Sequence, residues 1–460
     1  MDYRNNTKFY FLNIDLSDNR TGIENAALMR TRLFHDHLKI VPTIVTTKYN
    51  PRLNIQRVEL VNKGYISSDT KVINLYEYFQ ETITHECKLE SNSWANNPKW
   101  IYKPVENKHD IRIYDEMNNL LVYRGCDDKG LIKYNNIFVN KKKVRRDNFD
   151  SNGYLSRTQH LDQETGQVRV EVYYRVDGTP CIYKHFDLIN GKSSLTSIHL
   201  VNKNGDLIES FASEQEFISY WLNLILSEPH HHILIIDKER IYYPALQKIN
   251  KSNVKIICMI HSSHLKEMQP AQTGKLNSNY AQIFENLSKP DAVVVLTNKQ
   301  KEDIVSRFGF SEKIFVIPHA IDKKVIPARF ETREPFKAIY LARYSKEKQH
   351  ESLVRVFHRV VQNYPNAKLD LYGFGDQKEN IVKFIKSLEL DDNITVNEFV
   401  ENPEEIYNNA SLSVLTSKCE GFSLFVLESL AHGCPIVSYD IDYGPRDMID
   451  HNVNGYLGRV

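Results

Sequence analysis

Apolar and polar positions follow two rhythms along this 460-residue chain. The first alternates apolar strands with amphipathic helices, the mark of a parallel α/β sheet. It opens with a strand over residues 8–14, the turn Thr21-Gly22, a helix over 23–34 and a strand over 41–46. From about residue 54 to residue 200 the pattern becomes short period-two runs, such as Ile111–Tyr114 and Val168–Tyr174. Turn residues at Asp127-Asp128-Lys129-Gly130, Asp177-Gly178 and Asn204-Gly205 separate them. This stretch predicts an antiparallel sheet inserted into the first α/β domain. The first rhythm returns near Ser213, with a helix over 214–226, strands over 233–236, 254–260 and 292–296, a helix over 303–308 and a strand over 314–317. Pro318-His319-Ala320-Ile321 reads as a crossing into a second α/β domain, with strands over 337–341, 369–372, 393–400 and 411–415. A helix over 422–432 then shows Leu424, Leu427 and Ala431 as its apolar stripe. Gly433 and Pro435 stop it before a strand over 436–439. The predicted division is 1–53 with 206–320, an insertion over 54–205, and a second Rossmann-like domain over 321–460.

Composition narrows the class. Hydrophobic residues make up 41% of the chain and the formal net charge is +1. No global field therefore selects nucleic acid or an anionic membrane. No apolar run approaches the ~20 residues that span a bilayer, and Met1-Asp2-Tyr3-Arg4 carries no signal-peptide core. A cytoplasmic protein, at most peripheral to the inner face of the membrane, is expected. The six cysteines, Cys87, Cys126, Cys181, Cys258, Cys419 and Cys434, form no C-x-x-C pair and read as reduced thiols. Cys419 reads as a small filler rather than a nucleophile.

Candidate chemistry gathers at the carboxyl ends of strands, where doubly wound sheets bind ligands. Glu420 follows the strand over 411–415, and Glu428 lies two turns into the next helix. Glu420 can reach a ligand's hydroxyls there. Gly421 and the backbone of Phe422, Ser423 and Leu424 present free N–H groups to phosphates. An ordinary αβ unit with two surface glutamates fits the same pattern. Arg343 and Lys348 follow the strand over 337–341, and two cations there suit a diphosphate; a solvated basic loop fits as well. His261 and His264 follow the strand ending at Ile260. His230-His231-His232 lies along a strand, so its side chains alternate between faces and do not converge on one metal. Lys141 to Arg146 reads as a solvated hairpin edge. Its functional alternative is a contact for a polyanionic acceptor or a partner subunit. Metal: none is the expectation for the whole site, and Asp440-Ile441-Asp442 reads as a decoy for a metal-binding D-x-D.

The stretch from Glu420 to Asp440, with its E-x7-E pair Glu420 and Glu428, resembles the signature of retaining, nucleotide-sugar-dependent glycosyltransferases of the GT-B fold. Tyr443-Gly444-Pro445 and Asn454-Gly455-Tyr456-Leu457 extend the likeness. The resemblance implies two Rossmann-like domains facing a cleft, with the β-sheet insertion in the N-terminal one. It implies that Glu420 contacts the transferred sugar and Glu428 the nucleotide ribose. Arg343 and Lys348 match the family's R-x4-K phosphate clamp. Of the two histidines, His264 better matches the one that touches the sugar. Gly22, Ile23, Glu24 and Asn25 fall on the loop facing the donor diphosphate, and Val400 and Glu401 where backbone groups read a uracil-like base. Within the family the chain looks like bacterial enzymes that add N-acetylglucosamine to serine-rich or Ser-Asp-repeat surface proteins, with teichoic-acid α-glycosyltransferases as near relatives.

The implied reaction moves N-acetylglucosamine or glucose from a UDP-sugar to serines of a repeat-containing surface protein. The alternatives are a teichoic-acid polymer as acceptor and, in another class, a non-catalytic partner subunit of a glycosyltransferase complex. No cofactor beyond the UDP-sugar donor is implied, nor any nucleic-acid partner; a homo- or hetero-oligomer through the β insertion is left open. Relatives continue past a position like Val460 with a further helix, so the resemblance also implies a truncated C-terminus.

Overall fold

The computed structural model describes residues 6–17, 20–82, 97–249, 251–266, 269–321 and 325–459. Cys87 lies outside them. The chain divides into two compact units, Met1–Lys255 and Ile256–Val460.

In the first unit the apolar strand Thr7–Asn13 pairs in parallel with Thr43–Thr46 and His231–Ile236, and Thr43–Thr46 pairs with Val72–Asn74. Helix Gly22–Leu33 follows the first strand and buries Ala26, Ala27 and Leu28. The β-rich insertion expected over 54–205 is displaced. Residues from Leu53 to Gln80 form helix Leu53–Asn62, the parallel strand Val72–Asn74 and helix Leu75–Gln80. The strand is only three residues long, and the first helix is weakly amphipathic, burying Leu53, Gln56 and Leu60. Its periodicity is therefore faint. Asn74 caps the second helix by accepting from the backbone of Tyr76 and Glu77.

The antiparallel sheet itself has ten strands, from Ile101–Pro104 to Leu207–Phe211, in strict chain order. Two-residue turns with both backbones left-handed, Asn140-Lys141 and Asn190-Gly191, close two of its hairpins. Lys141 thus sits at a tip, but strand Lys142–Phe149 is flanked on both sides and is no sheet edge. Arg145 there is bidentate to Asp147, and Arg146 lies over the Tyr134 ring. Gln80 fastens the sheet to the helices, donating to Ser156 and to the Tyr174 carbonyl.

Strand Val254–Met259, which crosses the boundary into the second unit, runs parallel with Ala292–Val295, and that strand with Ile314–Val316. A separate six-stranded parallel sheet follows. Numbered by appearance, its strands are Glu334–Leu341, Lys368–Tyr372, Ile394–Asn397, Ala410–Leu415, Ile436–Tyr439 and Gly455–Gly458. They lie in the order third, second, first, fourth, fifth, sixth. This is the doubly wound order, and it reverses between the first strand and the fourth. Ile339, Leu369, Leu371, Ile381, Val426 and Ile436 centre its core.

Helix Leu424–Ala431 begins two residues later than predicted, because Ser423 has φ +70°. Its buried residues are Phe425, Val426 and Ser429, not the predicted Leu424, Leu427 and Ala431 stripe. The helix is apolar on nearly every side, so spacing alone could not choose its inner face.

Candidate functional site

The reversal in strand order leaves a crevice at the carboxyl ends of Glu334–Leu341 and Ala410–Leu415. The loops leaving those ends carry Arg343 to Lys348 and Thr416 to Ser423. They are bonded to each other. Lys418 N donates to the Glu347 carbonyl at 3.1 Å. The Lys348 carbonyl accepts from Thr416 Oγ1 at 3.0 Å and from Tyr340 Oη at 3.1 Å. Tyr340 is fully buried beneath the loop and also meets Ser417 Oγ at 3.1 Å.

This scaffold places the Lys348 ammonium against the Glu420 carboxylate, with Nζ to Oε1 at 2.6 Å. Burial works against the ammonium, but Glu420, aided by Tyr340 and Glu347, holds its pKa above the ordinary lysine value. Arg343, the other predicted cation, is elsewhere engaged. Its side chain is 53% exposed and its Nη2 donates to Glu347 Oε1 at 2.6 Å. The structure thus brings Lys348 to Glu420 and pairs Arg343 with a glutamate four residues on.

Two backbone contacts fix the Glu420 loop. A Cβ on Gly421 would stand 2.3 Å from the His261 carbonyl oxygen. One on Gly444, whose φ is +86°, would stand 2.1 Å from the Phe422 carbonyl oxygen. Neither neighbour is the tip of a flexible side chain, so only glycine lets these segments touch. Gly421→Ala is expected to destabilise the protein by about 1–3 kcal/mol through overpacking and to lower turnover. An unchanged melting temperature with unchanged turnover would show that the contact is not required.

The histidines separate clearly. His264 is fully buried between the rings of Phe284 (5.7 Å) and Tyr443 (5.9 Å). Burial pushes its pKa down to about 4, against Asp303 and with Arg307, so the ring is neutral at physiological pH. Among the described residues neither ring nitrogen has a hydrogen-bond partner. His261 is partly exposed and stacks on His319 at 5.5 Å. Tyr443 Oη donates to Asp303 Oδ2 at 2.8 Å, and Lys299 donates to Oδ1 at 2.6 Å. Burial and a bond from Ser263 act in opposite senses on Cys419, and burial prevails, raising its pKa. This is the setting of an inert thiol.

Glu428 faces inward from helix Leu424–Ala431. Tyr407 Oη donates to its Oε2 at 2.8 Å. Burial pushes the carboxyl pKa up, and the Tyr407 bond opposes it. Val400 and Glu401 follow strand Ile394–Asn397, shorter than the strand predicted over 393–400. That strand's end is tied to the cation loop, since Tyr344 Oη donates to the Asn397 carbonyl at 2.6 Å.

Gly22, Ile23, Glu24 and Asn25 form the first turn of helix Gly22–Leu33 in the first unit. Glu24 turns back to accept from Thr21 N at 2.9 Å and from Lys238 Nζ at 2.6 Å. Despite burial, these bonds hold it below the ordinary carboxylate range. The first unit also has a polar cavity, lined by Tyr49, Asn54, Arg57, Glu77, Asp150 and Asn152 among others, which includes none of the predicted site residues. Arg446 bridges Asp440 and Asp442 at 2.8 and 2.7 Å. Among the described residues no group of three or more His, Cys, Asp or Glu side chains is placed to hold a metal ion, and no helix is long and apolar enough to cross a membrane.

The sequence gives no sign of the roles of Tyr340 and Tyr407, nor of the contact between Tyr443 and Asp303. Tyr407 lies 21 residues from Glu428, and Asp303 lies 140 residues from Tyr443, so tertiary packing makes both contacts.

The sheet order is that of a doubly wound α/β domain, a class that binds ligands where the strand order reverses. The chain is a glycosyltransferase with the GT-B fold: residues 322–459 match the family Glycosyl transferases group 1, and residues 214–325 match Glycosyltransferase Family 4. It is 27% identical to the poly(glycerol-phosphate) alpha-glucosyltransferase of Bacillus subtilis, over 98% of this chain and 67% of that one. It is equally 27% identical to the poly(ribitol-phosphate) alpha-N-acetylglucosaminyltransferase of Staphylococcus aureus, over 98% and 89%. The GtfA subunit of the UDP-N-acetylglucosamine–peptide N-acetylglucosaminyltransferase of Streptococcus pneumoniae is 24% identical over 97% and 87%. Among solved structures, a point mutant of S. aureus TarM, crystallised with fondaparinux, alpha-GlcNAc-glycerol and UDP, superposes with a TM-score of 0.83. It covers 99% of this chain and 90% of that one at 24% identity.

Proposed function

We propose that this glycosyltransferase moves a hexose, glucose or N-acetylglucosamine, from a UDP-sugar to a hydroxyl of a polyol-phosphate polymer of the teichoic-acid type, keeping the anomeric configuration. The observation that carries the reading is the Lys348–Glu420 pair at the point where the strand order reverses. In this reading the donor diphosphate meets the Lys348 ammonium, Arg343 and the N–H groups of Phe422, Ser423 and Leu424. As the bond from the sugar to the diphosphate breaks, charge grows on the leaving UDP, and these groups stabilise it electrostatically. Glu420, with its second oxygen, and neutral His264 orient the sugar beside the acceptor hydroxyl. Glu428 accepts from the ribose, and the backbone at Val400 and Glu401 reads the base. Such a donor is made in the cytoplasm, so the reaction is placed there, at most peripheral to the membrane.

The choice of acceptor follows the relatives. Two polyol-phosphate enzymes share 27% identity across nearly the whole chain. A serine of a repeat-containing surface protein is the second reading, favoured by the 24% relative whose name specifies a peptide acceptor. A partner subunit joined through the ten-stranded sheet would accompany it. A non-catalytic role is disfavoured because Arg343, Lys348, Glu420 and Glu428 are all present. Incubation of the full chain with UDP-glucose or UDP-N-acetylglucosamine and poly(glycerol phosphate), poly(ribitol phosphate) or a serine-rich repeat peptide tests the proposal. Sugar is expected on a polyol phosphate in α linkage. Labelling of the peptide alone would replace the first acceptor by the second, and UDP release without transfer to any acceptor would contradict both.

A further inference from the structure

Glu428 is held more elaborately than a carboxylate on a helix surface requires. Tyr407, fully buried within helix Glu404–Asn409, spends its hydroxyl on Glu428 Oε2 at 2.8 Å. Its ring stacks on His432 at 5.0 Å and 19°. His432 Nδ1 in turn lies 2.7 Å from the Glu428 carbonyl, one turn back. The backbones of both aromatic residues are fixed by one buried guanidinium. Arg333 donates to the Tyr407 and His432 carbonyls, each at 2.6 Å, and to the Ala410 carbonyl at 2.8 Å. Three segments are thus locked around Glu428, and among the described residues one of its two carboxylate oxygens is bonded.

A carboxylate can accept about four hydrogen bonds. With Oε2 taken by a phenol, Oε1 is left to accept from a pair of neighbouring hydroxyls. The phenol also removes the carboxylate's freedom to rotate, so this acceptor has one fixed direction. Resting on the reading of Glu428 as the ribose partner, we propose that Tyr407 is a positioning residue which aims the Glu428 carboxylate at the vicinal 2′- and 3′-hydroxyls, and so makes the enzyme selective for a ribonucleoside diphosphate donor.

Tyr407→Phe removes one oxygen and leaves the stacking on His432 in place. The affinities of UDP and 2′,3′-dideoxy-UDP, measured by calorimetry on the full chain, test the proposal. The wild type is expected to prefer UDP on the order of 10-fold, the scale of charge-assisted hydrogen bonds. In Tyr407→Phe that preference should fall to about threefold or less, through weaker UDP binding, while dideoxy-UDP binds as before. An undiminished preference in a folded variant overturns the positioning role, as does equal weakening of both nucleotides. A wild type that binds UDP without preferring it overturns the ribose reading of Glu428 and this inference with it; one that binds neither nucleotide overturns the donor assignment itself. Should Tyr407→Phe not fold, because its Glu428 charge has lost a partner, Glu428→Gln is compared with the double variant, which leaves no such charge. In the Glu428→Gln background, adding Tyr407→Phe is expected to leave the nucleotide preference unchanged, and a further change would overturn the proposal.

Discussion

Lys348→Ala lowers turnover about 100-fold or more, the scale seen when one preorganised donor to a developing oxyanion is removed. The expectation follows from placement rather than charge alone. Lys348 leaves a loop whose carbonyl is gripped by Thr416 and Tyr340, so its ammonium is held in position before substrate arrives. The Arg343 carbonyl is held by Ser345 two residues on rather than by another loop, and its side chain is half-exposed, so its removal costs less. UDP affinity falls in Lys348→Ala as well, because the product carries the charge that the ammonium stabilises. Steady-state rates and a UDP titration check the result, with a thermal melt to establish folding. Near-normal turnover in a folded Lys348→Ala would remove Lys348 from the diphosphate site.

Glu420→Gln is expected to lose about 100-fold in turnover by a different route, the misorientation of the transferred sugar. The two variants separate on nucleotide binding. The Lys348 ammonium is bonded to Glu420 at 2.6 Å. Removing the carboxylate's charge releases that ammonium to the diphosphate and removes a repulsion. UDP should therefore bind Glu420→Gln as tightly as the wild type or more tightly, while turnover falls. Weakened UDP binding accompanied by normal turnover would reverse the assigned roles of the two side chains.

These predictions rest on a mixture of what local sequence reveals and what it hides. The second α/β domain was legible because its strands are short apolar runs ended by glycine and proline, such as 411–415 and 436–439. Glu420 and Glu428 stand out through their resemblance to the E-x7-E signature, and Lys348 through its place after a strand. The inner face of helix Leu424–Ala431 did not stand out, since apolar residues surround it and tertiary packing made the choice. Arg343 was legible as a cation but not as a partner of Glu347, because both contacts are compatible with the same loop sequence. In the first unit, Val72–Asn74 is too short for its period to register, so the sequence pattern does not separate this parallel strand from the antiparallel insertion. Strand Lys142–Phe149 looked like an edge because of its charges. It is interior, and its arginines are satisfied by Asp147 and the Tyr134 ring. Tyr407 carries no local signal at all; its role follows from a contact 21 residues along the chain.

The central claim is that a nucleoside diphosphate occupies the crevice where the strand order reverses. Crystals of the full chain soaked with UDP test it most directly. The account predicts diphosphate oxygens about 2.7–2.9 Å from Lys348 Nζ, facing the amino end of helix Leu424–Ala431, with the ribose against Glu428. Density for UDP elsewhere on the molecule, with the Lys348–Glu420 pair undisturbed, would contradict it.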